Sequence, residues 1–200
     1  MKTTTDIKQL FFDKDLRTGG FYELSIQVCP SVETLPIKVY TDYIWNLPFV
    51  YGPFDIDFNK IEIDINNFEH QGVMHLGQYI IPFKTFNIRE EEPIETGFNW
   101  FDICFYTAAI EKVFGEQYQT WTESPKVPKP LEEFLLNTMK SLYRLHPFQL
   151  AIIDFEVSGQ YYFNDLKGDF LNWTSSKFFV GKENIGLISE KNKNLVTVVD

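Results

Sequence analysis

An α+β domain, with a mainly antiparallel sheet and one long and one short helix packed on it, is the fold the sequence predicts. Three observations predict it. Alternating apolar and polar segments of strand length recur along the chain, residues 130–146 carry one long helical stripe, and 98–115 passes from strand spacing to helix spacing without a break. No repeat, low-complexity tract or linker divides the 200 residues, so a single domain over 1–200 is expected.

Residues 1–20 are polar, with a short helical turn expected at 8–12 before Gly19-Gly20. Tyr22, Leu24, Ile26 and Val28 alternate through 21–28, a first strand stopped by Pro30. Residues 36–45 read as a second extended stretch, and Pro48, Gly52 and Pro53 then turn the chain. The next segment, FDIDFNKIEIDI at 54–65, writes apolar and acidic letters in two alternating runs that fall out of phase across Asn59-Lys60. A hairpin with that pair as its loop explains the slip and sets Asp57 opposite Glu62 and Asp55 opposite Asp64. Like charges so opposed destabilise each other, and four carboxylates on one face call for solvent, a cation or a basic partner.

Residues 66–72 read as a loop, 73–88 as one extended run that Pro82 demotes to an edge or bulge, and 89–97 as a charged connection. In 98–115, Phe101, Ile103 and Phe105 keep strand spacing, and Ala108, Ala109, Ile110, Val113 and Phe114 take helical spacing between Thr107 and Gly115. The long helix opens on Pro130, carries Glu132 and Glu133 at its positive end, aligns Leu131, Phe134, Leu135, Met139, Leu142 and Tyr143, and ends at His146-Pro147. Beyond it, 149–157 and 160–163 suggest a hairpin about Ser158-Gly159, and 177–180, 185–189 and 195–199 suggest strands.

The net charge of −10 opposes nucleic acid and anionic membrane surfaces as partners. It is also uneven, since 42–95 holds ten Asp/Glu against Lys60, Lys84 and Arg89. No apolar run reaches membrane-spanning length and no secretory leader is legible; with only Cys29 and Cys104 present, a cytoplasmic, reduced protein is expected. The glycosylation pattern at Asn172 is accordingly read as chance.

His70, His75 and His146 fit no metal-ligand spacing, and there is no nucleophile elbow, phosphate loop or dinucleotide fingerprint, so neither metal nor cofactor is expected. Cys29 and Cys104 read as small buried hydrophobes and Glu90 to Glu92 as a solvated charge run. Tyr43, Trp45 and Tyr51 precede the acidic hairpin, and Tyr and Trp dominate interface hot spots. Together with Asp55, Asp57, Glu62 and Asp64 they suggest a noncatalytic acidic module that neutralises or inhibits a basic partner protein; immunity proteins of toxin systems are one setting for such a design. Two other classes stay open: a small hydrolase whose carboxylate and His groups assemble only in the fold, and a ligand-binding domain with an aromatic pocket.

Overall fold

The computed structural model describes residues 4–93, 97–120, 125–168 and 176–200. In chain order the elements are α1 (Thr4–Phe12), β1 (Phe21–Pro30), α2 (Leu35–Trp45), β2 (Val50–Phe54), β3 (Glu69–Leu76), β4 (Tyr79–Arg89) and β5 (Phe98–Tyr106). There follow α3 (Thr107–Phe114), α4 (Lys129–Leu145), β6 (Leu150–Phe155), β7 (Lys177–Gly181), α5 (Glu190–Lys193) and β8 (Val196–Val199). All eight strands join one sheet in the order β2-β3-β4-β5-β1-β6-β7-β8, antiparallel throughout except for the β7/β8 pair. The α+β class and the mainly antiparallel sheet are therefore present, but five helices among the described residues replace the expected pair.

Side chains alternate across a strand, so each face of this sheet can be followed residue by residue. One face carries Tyr22, Leu24 and Ile26 of β1, Phe101, Ile103 and Phe105 of β5 and Phe83 of β4, and it packs against α2 and α4 to form the main core. The helix α4 buries Leu131, Phe134, Leu135, Met139, Leu142 and Tyr143, the stripe its sequence spells. On the opposite face, Ile7 and Phe11 of α1 cover Val73 and Ile80 at the β3/β4 end. Val157, Phe163 and Leu166 cover Leu150, Ile152, Phe178 and Val180 at the β6/β7 end. Between those two covers lies a polar strip made by the alternate residues of β1 and β5.

The helix α2 corrects the extended reading of 36–45. Its residues Val39, Tyr40, Thr41, Tyr43, Ile44 and Trp45 are β-branched or aromatic and favour strands by composition. Yet Pro36, Ile37, Tyr40, Thr41, Ile44 and Trp45 are the buried ones, a helical spacing, and Pro36 fits the first turn. Tertiary packing thus overrides propensity: Thr41 bonds Asn87 Oδ1 at 3.0 Å and the Tyr40 hydroxyl donates to the His146 carbonyl at 2.6 Å.

The run read as one strand over 73–88 is two, β3 and β4, paired Leu76 to Tyr79 around a turn in which Gly77 has a positive φ. Pro82 is tolerated inside the sheet because β5 pairs with β4 only from Lys84 onward, leaving no ladder bond for its missing N–H on that side. Of the expected later strands, 160–163 and 185–189 are instead loop and 3₁₀ turns.

Candidate functional site

The acidic segment is not the predicted hairpin. The chain does reverse, but around 55–59 and not around Asn59-Lys60: Phe54 bridges Lys60, and the Ile61 amide donates to the Pro53 carbonyl at 2.9 Å. Asp55 organises the turn, its carboxylate accepting the Asp57 amide at 2.9 Å, the Asn59 amide at 2.8 Å and the Asn59 side chain at 3.0 Å. These bonds hold its carboxyl below the ordinary value. The positive φ falls on Phe58, not Lys60, and turns the Phe58 ring onto Phe54 and Phe11. Asp64 likewise accepts from the Asn66 amide at 2.9 Å, while its own N–H donates to His70 Nε2 at 3.3 Å.

No opposed carboxylate pairs arise, and the acids project along an irregular loop between β2 and β3. Asp57, Glu62 and Asp64 are exposed and Asp55 half-exposed. Among the described residues, none of the four takes part in an ion pair. The same loop leaves two large apolar side chains in solvent, Ile56 at 79% and Phe68 at 58% exposure.

The three aromatic candidates separate. Tyr51 lies on the edge strand β2, 39% exposed, its ring 4.9 Å from that of His75. Tyr43 is half-buried on α2. Trp45 is only 5% exposed: it stacks on Phe83 at 5.0 Å and donates its indole N–H to Thr85 Oγ1 at 3.1 Å, so it belongs to the core and offers a partner no surface of its own.

A second site lies on the polar strip. Glu23 and Ser25 of β1 stand opposite Cys104 and Asp102 of β5, and all four are buried. The Ser158 amide donates to Glu23 Oε1 at 2.8 Å and its hydroxyl to Asp102 Oδ2 at 2.7 Å; Cys104 Sγ bonds Glu23 Oε2 at 3.1 Å. Gln27, further along the same row, accepts the Phe163 amide at 2.8 Å, so β1 tethers the 156–163 segment through its polar side chains. Over Glu23 and Asp102 opens a cavity of about 350 Å³, lined also by Phe21, Phe68, Phe86, Ile88, Glu156 and Ser158.

Burial dominates the electrostatics of this strip. It pushes the Asp102 carboxyl up to about 7, with the Glu23 charge adding to it and the Ser158 hydroxyl opposing it. Glu23 is raised for the same first reason, partly offset by the Ser158 amide. The Cys104 thiol is driven well above its ordinary value by burial and then by the two carboxylates, so it is a poor nucleophile, in keeping with a structural cysteine.

Glu23 and Asp102 do not stand out in the sequence because each is alone among apolar neighbours, and their meeting depends on β1 pairing with β5 about eighty residues later. A usable signal existed: a Glu and an Asp in the middle of otherwise apolar strands are rarely buried without a partner. Glu90 departs from the solvated charge run expected of Glu90 to Glu92. It is buried, and its carboxylate accepts from the Tyr162 hydroxyl at 2.9 Å and the Phe98 amide at 3.3 Å.

His70 and His75 lie on β3 and His146 caps α4, none lining this cavity. Among the described residues no group of three or more His, Cys, Asp or Glu is arranged to hold a metal ion, and no helix is long and apolar enough to cross a membrane. Asn172 lies outside the described residues. In comparisons with known proteins, no family model, no curated protein and no solved structure matches the chain.

Proposed function

We propose that this chain is a noncatalytic acidic binding module that neutralises or inhibits a basic partner protein, as an immunity protein does, through the loop between β2 and β3 and the adjoining Tyr51. The observation that carries this reading is the company the acids keep. Among the described residues Asp57, Glu62 and Asp64 take part in no ion pair, and they share a loop with solvent-exposed Ile56 and Phe68. Apolar anchors within a charged rim are the anatomy of a protein interface, in which complementary charge speeds encounter and buried apolar contact sets the lifetime.

Asp55 contributes chiefly by building the loop and Trp45 from beneath, where its ring lies against Gly52 and Gly72; Tyr43 is half-buried on α2 against the main core. A cytoplasmic location is part of the reading, supported by two free, buried thiols at Cys29 and Cys104.

The test is retention and kinetics with a partner captured from the native cell. D57N/E62Q/D64N should slow association and flatten its salt dependence, because charges so exposed are screened beyond about 8 Å at physiological ionic strength. I56S/F68S should speed dissociation. A partner retained equally by both variants, with unchanged rates, would place the recognition surface elsewhere.

A further inference from the structure

Asp102 is 1% exposed and lines the cavity floor, and its Oδ1 has no hydrogen-bond donor among the described residues. The Ser25 hydroxyl, opposite it across β1 and β5, eases its charge but makes no bond of regular geometry. Buried carboxylate oxygens are seldom left in this state without a role, since the desolvation of an unpaired acceptor is costly.

The rest of the cavity shares a single chemical character. Glu23 and Glu156 join Asp102 as its acidic groups, and Phe21, Phe86 and Phe68 form a continuous aromatic wall, with ring centroids 5.9 and 5.2 Å apart. Among the described residues no lysine or arginine lines the cavity. Lys84, which faces Cys104 from β4 and whose ammonium lies 5.9 Å from the Phe86 ring centroid, is neutralised by Glu69, both of whose oxygens hold it, at 2.9 and 2.8 Å. A hard metal ion would want several converging oxygens and few apolar walls. Carboxylates backed by aromatic faces suit an organic cation, whose head takes charge-assisted bonds while its stem lies against the rings.

We propose that this cavity binds an organic cation, a guanidinium or ammonium group on a short apolar stem, with its head on Asp102 and Glu23 and its stem against Phe21, Phe68 and Phe86. The inference stands apart from the partner-binding surface, although Phe68 borders both. A free amine and a partner's arginine or lysine side chain carry the same chemistry. The titratable groups facing the head are Glu23 from β1, Asp102 from β5 and Glu156 from the segment after β6, with the neutral Cys104 thiol of β5 and the Glu69-paired Lys84 of β4 next to them. Because the two floor carboxyls hold their protons unusually far up the pH scale, cation binding expels protons, and affinity rises between pH 6 and pH 8.

The test is a titration of the full chain, followed by backbone NMR, with agmatine, with N-acetyl-arginine amide and with the neutral isostere N-acetyl-citrulline amide. Saturable shifts at Phe21, Phe86, Ile88 and Ser158 with the cations only, tighter at pH 8, are expected. D102N should weaken binding at least tenfold. Agmatine binding more tightly than the capped arginine identifies a free amine as the natural ligand, and the reverse order identifies a side chain. No saturation up to about 10 mM of either cation, or equal affinity for citrulline, overturns the proposal. Should D102N not fold, F68A serves instead, its side chain being largely exposed, and undiminished binding by F68A overturns the proposal equally. Neither probe depends on the loop carboxylates, so failure here leaves the partner-binding proposal standing.

Discussion

Ser158 donates its hydroxyl to Oδ2 of Asp102 at 2.7 Å, across a separation of 56 residues in the chain. That bond and the neighbouring Ser25 hydroxyl ease the charge of a carboxyl that burial and then Glu23 push up to about 7. The folded state therefore keeps a proton that the unfolded state releases near pH 4, and stability is greatest with Asp102 protonated and falls as pH rises from about 4 to 7. The loss attributable to Asp102 is roughly 2 to 4 kcal/mol over that window.

Two histidines act in the opposite sense. Burial lowers His70 and His146, so the unfolded state binds the extra protons, and their contribution is present above pH 6.5 and lost on acidification. Urea unfolding at pH 5, 6, 7 and 8 separates the two. Glu23, raised by burial like Asp102, remains in D102N, so the comparison is relative: between pH 5 and 7 wild type should lose more stability, or gain less, than D102N. Parallel profiles for the two proteins would show that Asp102 is ionised throughout.

The second prediction concerns the floor beneath the binding loop. A Cβ on Gly72 would fall 2.4 Å from the Tyr51 carbonyl and 2.7 Å from the Trp45 ring, and neither neighbour is free to withdraw. The carbonyl belongs to β2, paired with β3, and the indole is pinned by Thr85 and Phe83. Gly72→Ala should therefore cost about 1 to 3 kcal/mol, as overpacking does, and should release β2 from the sheet edge first. Hydrogen exchange reads this directly: the amides of Val50, Tyr51, Gly52 and Phe54 should exchange faster while those of α4 stay protected. Uniform protection in the variant would mean the ring can shift.

How much of this was legible in the sequence follows from the range of the forces involved. The strand β1, the β5-to-α3 passage and α4 were readable because each sets the apolar residues that face the main core at its own period, a local property of the letters, although β1 and β5 turn out buried on both faces. The helix α2 was obscured because its helical burial pattern is written in strand-favouring residues, and the pattern carries more information than the propensity. The acidic segment misled in a different way. Alternation of Phe, Asp and Ile mimics a strand, yet Asp55 satisfies three local donors with its own carboxylate, which a turn rewards and a ladder does not. The pocket was illegible, since Glu23 and Asp102 meet only after long-range pairing.

That correction changes what neutralising the loop should do. With Asp57 and Glu62 placed opposite each other, removal of their charge would relieve repulsion and stabilise the fold. In the structure they are separate, exposed and outside any ion pair among the described residues, so D57N/E62Q should leave the melting temperature within roughly 2 °C of wild type. Asp55 differs from both: Ala at that position removes the acceptor of the Asp57 and Asn59 amides, and Phe58 must hold its positive φ without them. Asp55→Ala should therefore accelerate exchange of those two amides and loosen the Phe58 ring from Phe54 and Phe11, while Asp55→Asn, which keeps an acceptor oxygen, should restore most of the protection. Thermal melting and residue-resolved exchange on the three variants decide the matter. A rise in melting temperature for D57N/E62Q would restore the opposed pairs, and equal exchange in Asp55→Ala and wild type would show that the turn is held by the Phe54 to Lys60 bridge and the packing of Phe58 alone.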